Sequence, residues 1–300
     1  MKSEIRKDYI QDKYVIIAPR RTKRPHEFAA GRAAVCHLCP KQLDKEPYIL
    51  EIGDKKNWQL KAVSNKFPAV SPKNSKAYGQ QEVVVETPNH GKHLEDLPDK
   101  QVANLLGVYA ARTKAIAENK KIEYILIFKN EGGPAGASLQ HAHSQIFATH
   151  FLPPQLLDKS QKMQSYKLKT GRCVYCDVIK KEIKSPRLIY QDKYVAAFAP
   201  YASMHNYEVW ILPRRHLDNI ALLNDAERLA WARILKCILK KIVALSLPYN
   251  FYFHQVIHDE DQHLYMKVTP RGSVWAGVEI GSGLIINPVA PEDAAKYYRG

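Results

Sequence analysis

The apolar and polar positions fall into two runs of similar order, each punctuated by proline. Residues 12–18 (Asp-Lys-Tyr-Val-Ile-Ile-Ala) are rich in β-formers and predict a strand; residues 81–87 (Gln-Glu-Val-Val-Val-Glu-Thr) predict another, stopped by Pro88. A helix is expected over about 98–119, because Pro98 suits a first helical turn and Val102, Leu105, Leu106, Tyr109 and Ala110 recur at helical spacing. Residues 122–128 predict a strand, and a loop of small residues follows. After about residue 160 the order returns. Residues 188–199 and 207–212 read as strands, the second stopped by Pro213. A helix over about 225–246 has Asn224 as N-cap and Glu227 at the capping-box position. Its expected buried stripe is Trp231, Ile234, Leu235, Ile238, Ile242 and Leu245, with Cys237 also placed on the buried side. Residues 249–256 and 264–269 complete the strands. The polar, Lys-rich stretch 155–170 reads as a linker, so the expected division is 1–160 and 161–300.

Composition narrows the class. Of 300 residues, 25% are charged and 45% hydrophobic, the balance of a globular chain. No stretch approaches the roughly 18 apolar residues of a membrane helix. The charged N-terminus lacks the apolar core of a signal peptide. Five cysteines are too few for a disulfide scaffold of this length, so reduced thiols and a cytoplasmic location are expected. The formal charge of +15 favours anionic partners such as nucleic acid, nucleotides or sugar phosphates, though a generally basic surface accounts for it equally. The basic residues are dispersed, Arg20, Arg21, Lys23 and Arg24 being the densest group, and no zinc-finger repeat or basic helix suggests dedicated nucleic-acid binding.

Two C-x-x-C pairs change the picture. Cys36 and Cys39 are followed by His90 and His141; Cys173 and Cys176 by His216 and His263. His90 and His216 each follow a strand and a proline, and each precedes a long helix, which reads as an internal duplication. Zn²⁺ takes thiolate sulfur and imidazole nitrogen in a tetrahedron, so two saturated structural zinc sites are expected. His37 and His93 are alternative ligands in the first half, and His205, His254 and His258 in the second.

The most informative stretch runs Phe128-Lys-Asn-Glu-Gly-Gly-Pro-Ala-Gly-Ala-Ser-Leu-Gln-His141-Ala-His143-Ser-Gln145. Gly132, Gly133, Gly136, Ala137 and Ser138 would let backbone N–H groups approach a phosphate. Strand alternation places His141, His143 and Gln145 on one face. If His141 holds zinc, His143 remains beside it as a nucleophile toward phosphorus, and Gln145 can donate to a phosphoryl oxygen without attacking.

With these residues the chain resembles the galactose-1-phosphate uridylyltransferase family, a branch of the histidine-triad superfamily. The resemblance covers Arg21-Thr-Lys-Arg24-Pro, Cys36-x-x-Cys39, Asn65-Lys-Phe-Pro-Ala, Thr-Pro-Asn-His90, the 130–145 stretch and the segment 263–287. It implies an α+β fold made of a duplicated histidine-triad-like unit, an antiparallel sheet with packed helices in each half, usually as a homodimer. It further implies that His143 takes the nucleoside monophosphate and that His141, with Cys36, Cys39 and His90, holds zinc. Arg21, Arg24, Ser138 and Gln145 would contact phosphates and Asn65 the nucleoside; Asn130, Gly136, Ala137 and Glu279 are further substrate-binding candidates. Lys66 stands where the family usually carries Asp, which implies a relaxed or altered base preference. The segment 277–288 looks more like the ADP-glucose phosphorylase branch, which also carries two C-x-x-C zinc sites. Tyr265 and Lys267 occupy the places of His143 and Gln145, so one active site per chain is expected. The activity implied is exchange of a nucleoside monophosphate between an NDP-sugar and a sugar 1-phosphate, of the UDP-glucose/galactose 1-phosphate kind. An ADP-glucose phosphorylase using inorganic phosphate is the alternative, and a zinc-dependent nucleic-acid-binding protein the rival from another class. Gln145 disfavours a hydrolase.

Overall fold

The computed structural model describes residues 3–7, 14–17, 35–54, 57–257, 259 and 261–300. Arg21, Arg24 and His258 lie outside the described residues. In chain order the elements are β1 (Glu4–Lys7), β2 (Tyr14–Ile17), α1 (Pro40–Leu43), β3 (Tyr48–Asp54), β4 (Asn57–Ser64), β5 (Gly79–Val85), α2 (Asp99–Ala117), β6 (Tyr124–Glu131), β7 (His143–Thr149), α3 (Pro154–Thr170), α4 (Val174–Glu182), β8 (Leu188–Gln191), β9 (Val195–Phe198), β10 (Val209–Pro213), α5 (Asp225–Ala244), β11 (Tyr249–His254), β12 (Tyr265–Pro270), α6 (Gly277–Ser282) and α7 (Pro291–Arg299).

β1 and β2 form an antiparallel ribbon of their own, and the other strands build one 10-stranded sheet in the order β3-β4-β5-β7-β6-β11-β12-β10-β9-β8. From either edge inward the order is the same, so the two runs of the chain are topological copies that meet at β6 and β11. At that seam Asn130 lies opposite Asn250, and Phe128 opposite Tyr252. The fold is therefore α+β, with the two sheets of the duplicated unit joined edge to edge.

Period-2 alternation gives the sheet two unlike faces. Ile125, Ile127, Ile146, Ala148, Phe251, Phe253, Met266 and Val268 face α2 and α5, packing with Leu105, Leu106, Tyr109, Trp231, Leu235 and Ile238 in one core. Truncating the fully buried Trp231 to alanine would cost about 3–5 kcal/mol. The capping box expected at α5 is present: Asn224 accepts from the Glu227 N–H and Glu227 reaches back to the Asn224 N–H. The opposite face carries His143 and Gln145 on β7, Asn130 on β6, Asn250 on β11, and Tyr265 and Lys267 on β12.

Three local expectations are corrected. The stretch 155–170 is helical: Pro154 starts α3, Gly171 closes it in a left-handed conformation, and Met163 is buried beneath it. The single strand expected over 188–199 is a hairpin, because Asp192 Oδ1 accepts from the N–H groups of Tyr194 and Val195 and turns the chain. Cys237 is exposed, since α5 buries Ile234, Leu235, Ile238 and Leu239 around it and points the intervening thiol outward.

Candidate active site and metal centres

Each expected quartet of Cys and His assembles. The ligand atoms of Cys36, Cys39, His90 and His141 lie within 4.8 Å of one another, as do those of Cys173, Cys176, His216 and His263. Cys39 Sγ stands 3.4 Å from His90 Nδ1 and 3.6 Å from His141 Nδ1; Cys176 Sγ stands 3.5 Å from His216 Nδ1 and 3.6 Å from His263 Nδ1. A tetrahedral zinc with two thiolates and two imidazoles has ligand–ligand edges of about 3.3–3.8 Å, so the donor sets fit. The far ring nitrogens supply the tautomer check: His141 Nε2 is 2.7 Å from Thr87 O, and His263 Nε2 is 3.2 Å from Pro213 O. A carbonyl only accepts, so each Nε2 carries the proton and each Nδ1 is left to bind metal. The alternative ligands are elsewhere. His37 lines the cavity beside His143, His93 pairs with Glu131, His205 stacks on Trp275, and His254 on Tyr265.

The first cluster shapes the cavity beside it. Cys39 is the N-cap of α1, with Pro40 at its first position, and the chain runs from there along one wall. Leu38, Leu43, Glu46, Pro47, Val63 and Val83 surround a hollow of about 230 Å³, and Ser138, His143 and Gln145 line its polar side. Its mostly apolar lining suits the flat ring of a base. Lys66 and Glu46 pair at 2.8 Å on its rim.

His143 is held in one tautomer. Its Nδ1 is 2.8 Å from His141 O, so Nδ1 donates and Nε2 keeps the lone pair toward the cavity. Burial, and then the nearby Lys129 charge, push its pKa down to about 4, which keeps the imidazole neutral near pH 7. Lys129 was not marked by its sequence context. Fully buried on the helix side of β6, it meets Glu86 at 2.9 Å and Glu131 at 3.0 Å and donates to His143 O at 3.3 Å. Burial alone would favour a neutral amine there, but the two carboxylates hold the ammonium. It supplies a donor where the β6–β7 ladder ends at Phe128–Gln145, two residues short of His143.

Gln145 is oriented by two chains of amides, each anchored on the backbone. The Phe67 N–H donates to Asn65 Oδ1 at 2.8 Å, which turns Asn65 Nδ2 to Gln145 Oε1 at 3.3 Å. The Ala69 N–H donates to Gln81 Oε1 at 2.9 Å, which turns Gln81 Nε2 to the same oxygen at 3.0 Å. Two donors on Oε1 leave Nε2 as the group Gln145 presents to the cavity. Asn65 thus acts on Gln145 as well as lining the hollow. Gln81 was missed, although alternation along β5 puts it on the face of Val83 and Val85. The glycine loop closes the site: Gly132 and Gly136 have φ of 85° and 87°, conformations that favour glycine, and bracket one tight helical turn. Glu279 is not brought to this cavity in its own chain; it lies half-buried on α6, where it accepts from the Ala276 N–H.

Residues 1–153 match the model of the galactose-1-phosphate uridyl transferase N-terminal domain. The chain is 31% identical to ADP-glucose phosphorylase of Arabidopsis thaliana, over 99% of its own length and 92% of that protein. It belongs to the galactose-1-phosphate uridylyltransferase family. Within that family it is also 29% identical to the galactose-1-phosphate uridylyltransferase of Thermotoga maritima, over 99% of this chain and 98% of that one. The solved structure of an Arabidopsis thaliana ADP-glucose phosphorylase with bound ADP-glucose superposes with a TM-score of 0.82, covering 99% of each chain at 31% identity.

The second half of this family member keeps the Cys₂His₂ quartet and carries different side chains at the positions of His143 and Gln145. Tyr265 stacks on Trp210 at 4.8 Å and on His254 at 4.2 Å, and Lys267 pairs with Glu208 at 2.9 Å. Lys159 of α3 donates to the Tyr265 hydroxyl. No helix among the described residues is long and apolar enough to cross a membrane.

Proposed function

We propose that the protein exchanges a nucleoside monophosphate between an NDP-sugar and a sugar 1-phosphate, through a nucleotidyl intermediate on His143. The observation that carries this reading is the His143 Nδ1–His141 O hydrogen bond, which leaves Nε2 as the nucleophile facing the cavity. In the first step the Nε2 lone pair attacks the α-phosphorus, the bond to the departing phosphate oxygen breaks, and sugar 1-phosphate leaves. In the second, a phosphate oxygen of the incoming acceptor attacks the same phosphorus and Nε2 leaves with its electron pair. Gln145 Nε2, Ser138 and the N–H groups around Gly136 and Ala137 meet the developing charge, and Arg21 and Arg24 are assigned to the phosphates. Asn65 and the apolar wall take the nucleoside, with the Lys66–Glu46 pair at its edge.

Zinc is the metal proposed for both Cys₂His₂ clusters; bound there with no open position, it cross-links loop to sheet and has no chemical step. Residues 1–160 are assigned to the catalytic half and 161–300 to its buttress, with α3 crossing the boundary and docking Lys159 and Met163 on the second half. The exposed Val274, Val278, Ile280, Leu284 and Ile286 around Glu279 support a homodimer in which this segment is covered. The even spread of basic residues supports small anionic substrates over nucleic acid, and the low cysteine count supports a cytoplasmic location with reduced thiols. A second reading, ADP-glucose as donor and inorganic phosphate as acceptor, is favoured by the 31% identity to the phosphorylase.

Intact-mass measurement after mixing with UDP-glucose or ADP-glucose alone tests the reaction. A nucleotidyl adduct on His143, stable in mild alkali and lost in acid, is expected. An adduct on His141 or His150, or none with either donor, overturns it. Release of the adduct by galactose 1-phosphate or by inorganic phosphate separates the two acceptors.

A further inference from the structure

Asn130 and Asn250 face each other where the two halves join. Asn250 reaches from β11 into the glycine loop of the other half, 2.7 Å from Ala135 O. That carbonyl can only accept, so the atom facing it is Asn250 Nδ2. The same Nδ2 lies 2.8 Å from the Asn130 side chain, and the atom it meets there is Oδ1. Asn130 Nδ2 is thereby turned toward Gly136, where an added Cβ would stand 3.7 Å from it. Pro248, just before β11, backs the same loop: a Cβ on Gly132 would come within 2.9 Å of it.

We propose that Asn250 is a positioning residue of the active site, supplied by the half that has no nucleophile. It sets the Asn130 amide so that N–H groups, and not the oxygen, meet a phosphoryl oxygen, and it holds the carbonyl of Ala135 away from the phosphate. The inference rests on the proposed exchange reaction, with Asn130 in the substrate-binding role that the family resemblance implies for it. Reversal of that amide would turn a donor into an acceptor against an anion, so the penalty falls on the rate of transfer and not on folding.

Asn250→Asp is the informative substitution. A carboxylate accepts from Asn130 Nδ2, so that side-chain contact is kept with the Asn130 amide turned over, while the donation to Ala135 O is lost. Loss of a transition-state donor predicts a fall of about a hundredfold in kcat, with KM for the NDP-sugar nearly unchanged. Asn250→Ala, which leaves the Asn130 amide able to take either orientation, should lose about tenfold. In an Asn130→Ala background the Asn250→Ala change should add less than about threefold, because its partner is gone. Wild-type rates in both Asn250 variants overturn the proposal, as do effects that multiply in full in the Asn130→Ala background. If Asn250→Asp fails to fold, the alanine cycle decides. Failure of the exchange reaction itself is distinguishable, since wild-type protein would then form no nucleotidyl adduct.

Discussion

Leu38, Val63, Val83, His143 and Gln145 line the cavity of the first half. At the equivalent positions, fixed by the C-x-x-C pairs and by strand register, the second half carries Tyr175, Phe198, Trp210, Tyr265 and Lys267. These larger side chains occupy the corresponding space: the hollow of the first half is about 230 Å³, and the hollow lined by Tyr175 and Tyr265 is about 20 Å³. Tyr175 and Tyr265 lie 5.0 Å apart, and Met163 of α3 packs in the same cluster. The metal quartet beside this filled site keeps the spacing of its counterpart. Ligand geometry is therefore a property of the loop-and-sheet framework, and the chemistry resides in a few side chains that the framework does not require.

The largest effect is expected from exchanging the fates of the two equivalent positions. His143→Gly should lower nucleotidyl transfer at least about a thousandfold while retaining metal, whereas Tyr265→Phe should leave turnover within about twofold. Loss of turnover in Tyr265→Phe would break the distinction between the halves. Next come the clusters. Cys36→Ser and Cys173→Ser should each lose one equivalent of zinc by elemental analysis and destabilise the fold by roughly several kcal/mol. Only Cys36→Ser should also abolish transfer in the folded fraction, because its cluster holds the wall that contains Leu43 and Glu46. Equal loss in both would mean that the metal acts through global stability alone.

The smallest effect sharpens the account of the filled site. Burial, and then Lys267, lower the Lys159 pKa to about 8. Its folded value lies below its unfolded one, so the ammonium disfavours the fold below about pH 8, and that cost fades as pH rises toward the unfolded value. Lys159→Met should raise stability by about 2 kcal/mol at pH 7, and the gain should vanish above about pH 10.5. Denaturation midpoints at the two pH values measure it. A variant no more stable than wild type at pH 7 would show that Lys159 is already relaxed by solvent.

Much of the candidate site was legible because its signals are local. The C-x-x-C pairs, the glycine loop and His-x-His-x-Gln each carry their chemistry within a few residues. The long helices were legible because α2 and α5 bury regular stripes. α3 was not, because it docks through little more than Met163 and leaves its Lys-rich face to solvent. The β8–β9 hairpin turns on one Asp192 side chain inside an otherwise continuous β-forming run. Cys237 needed finer phase than the stripe supplied, since at 100° per residue it lies beyond the edge set by Ile234 and Ile238. Gln81, Lys129 and Asn250 act across strands distant in sequence. Their partners follow from register, which one sequence does not state. Arg21 and Arg24, expected at the phosphates, fall outside the described residues.

The continuous sheet has a genetic consequence. In an assembly of two identical chains, every substitution appears at both symmetry-related places, so a tyrosine that plugs one pocket plugs the other. Here the two copies are separate stretches of one gene. A codon change at Tyr265 leaves His143 untouched, and the second copy can drift toward tighter packing while the first remains under selection for turnover. Joining β6 to β11 within one polypeptide therefore frees the two copies to answer different demands, one for a reactive hollow and the other for a solid support.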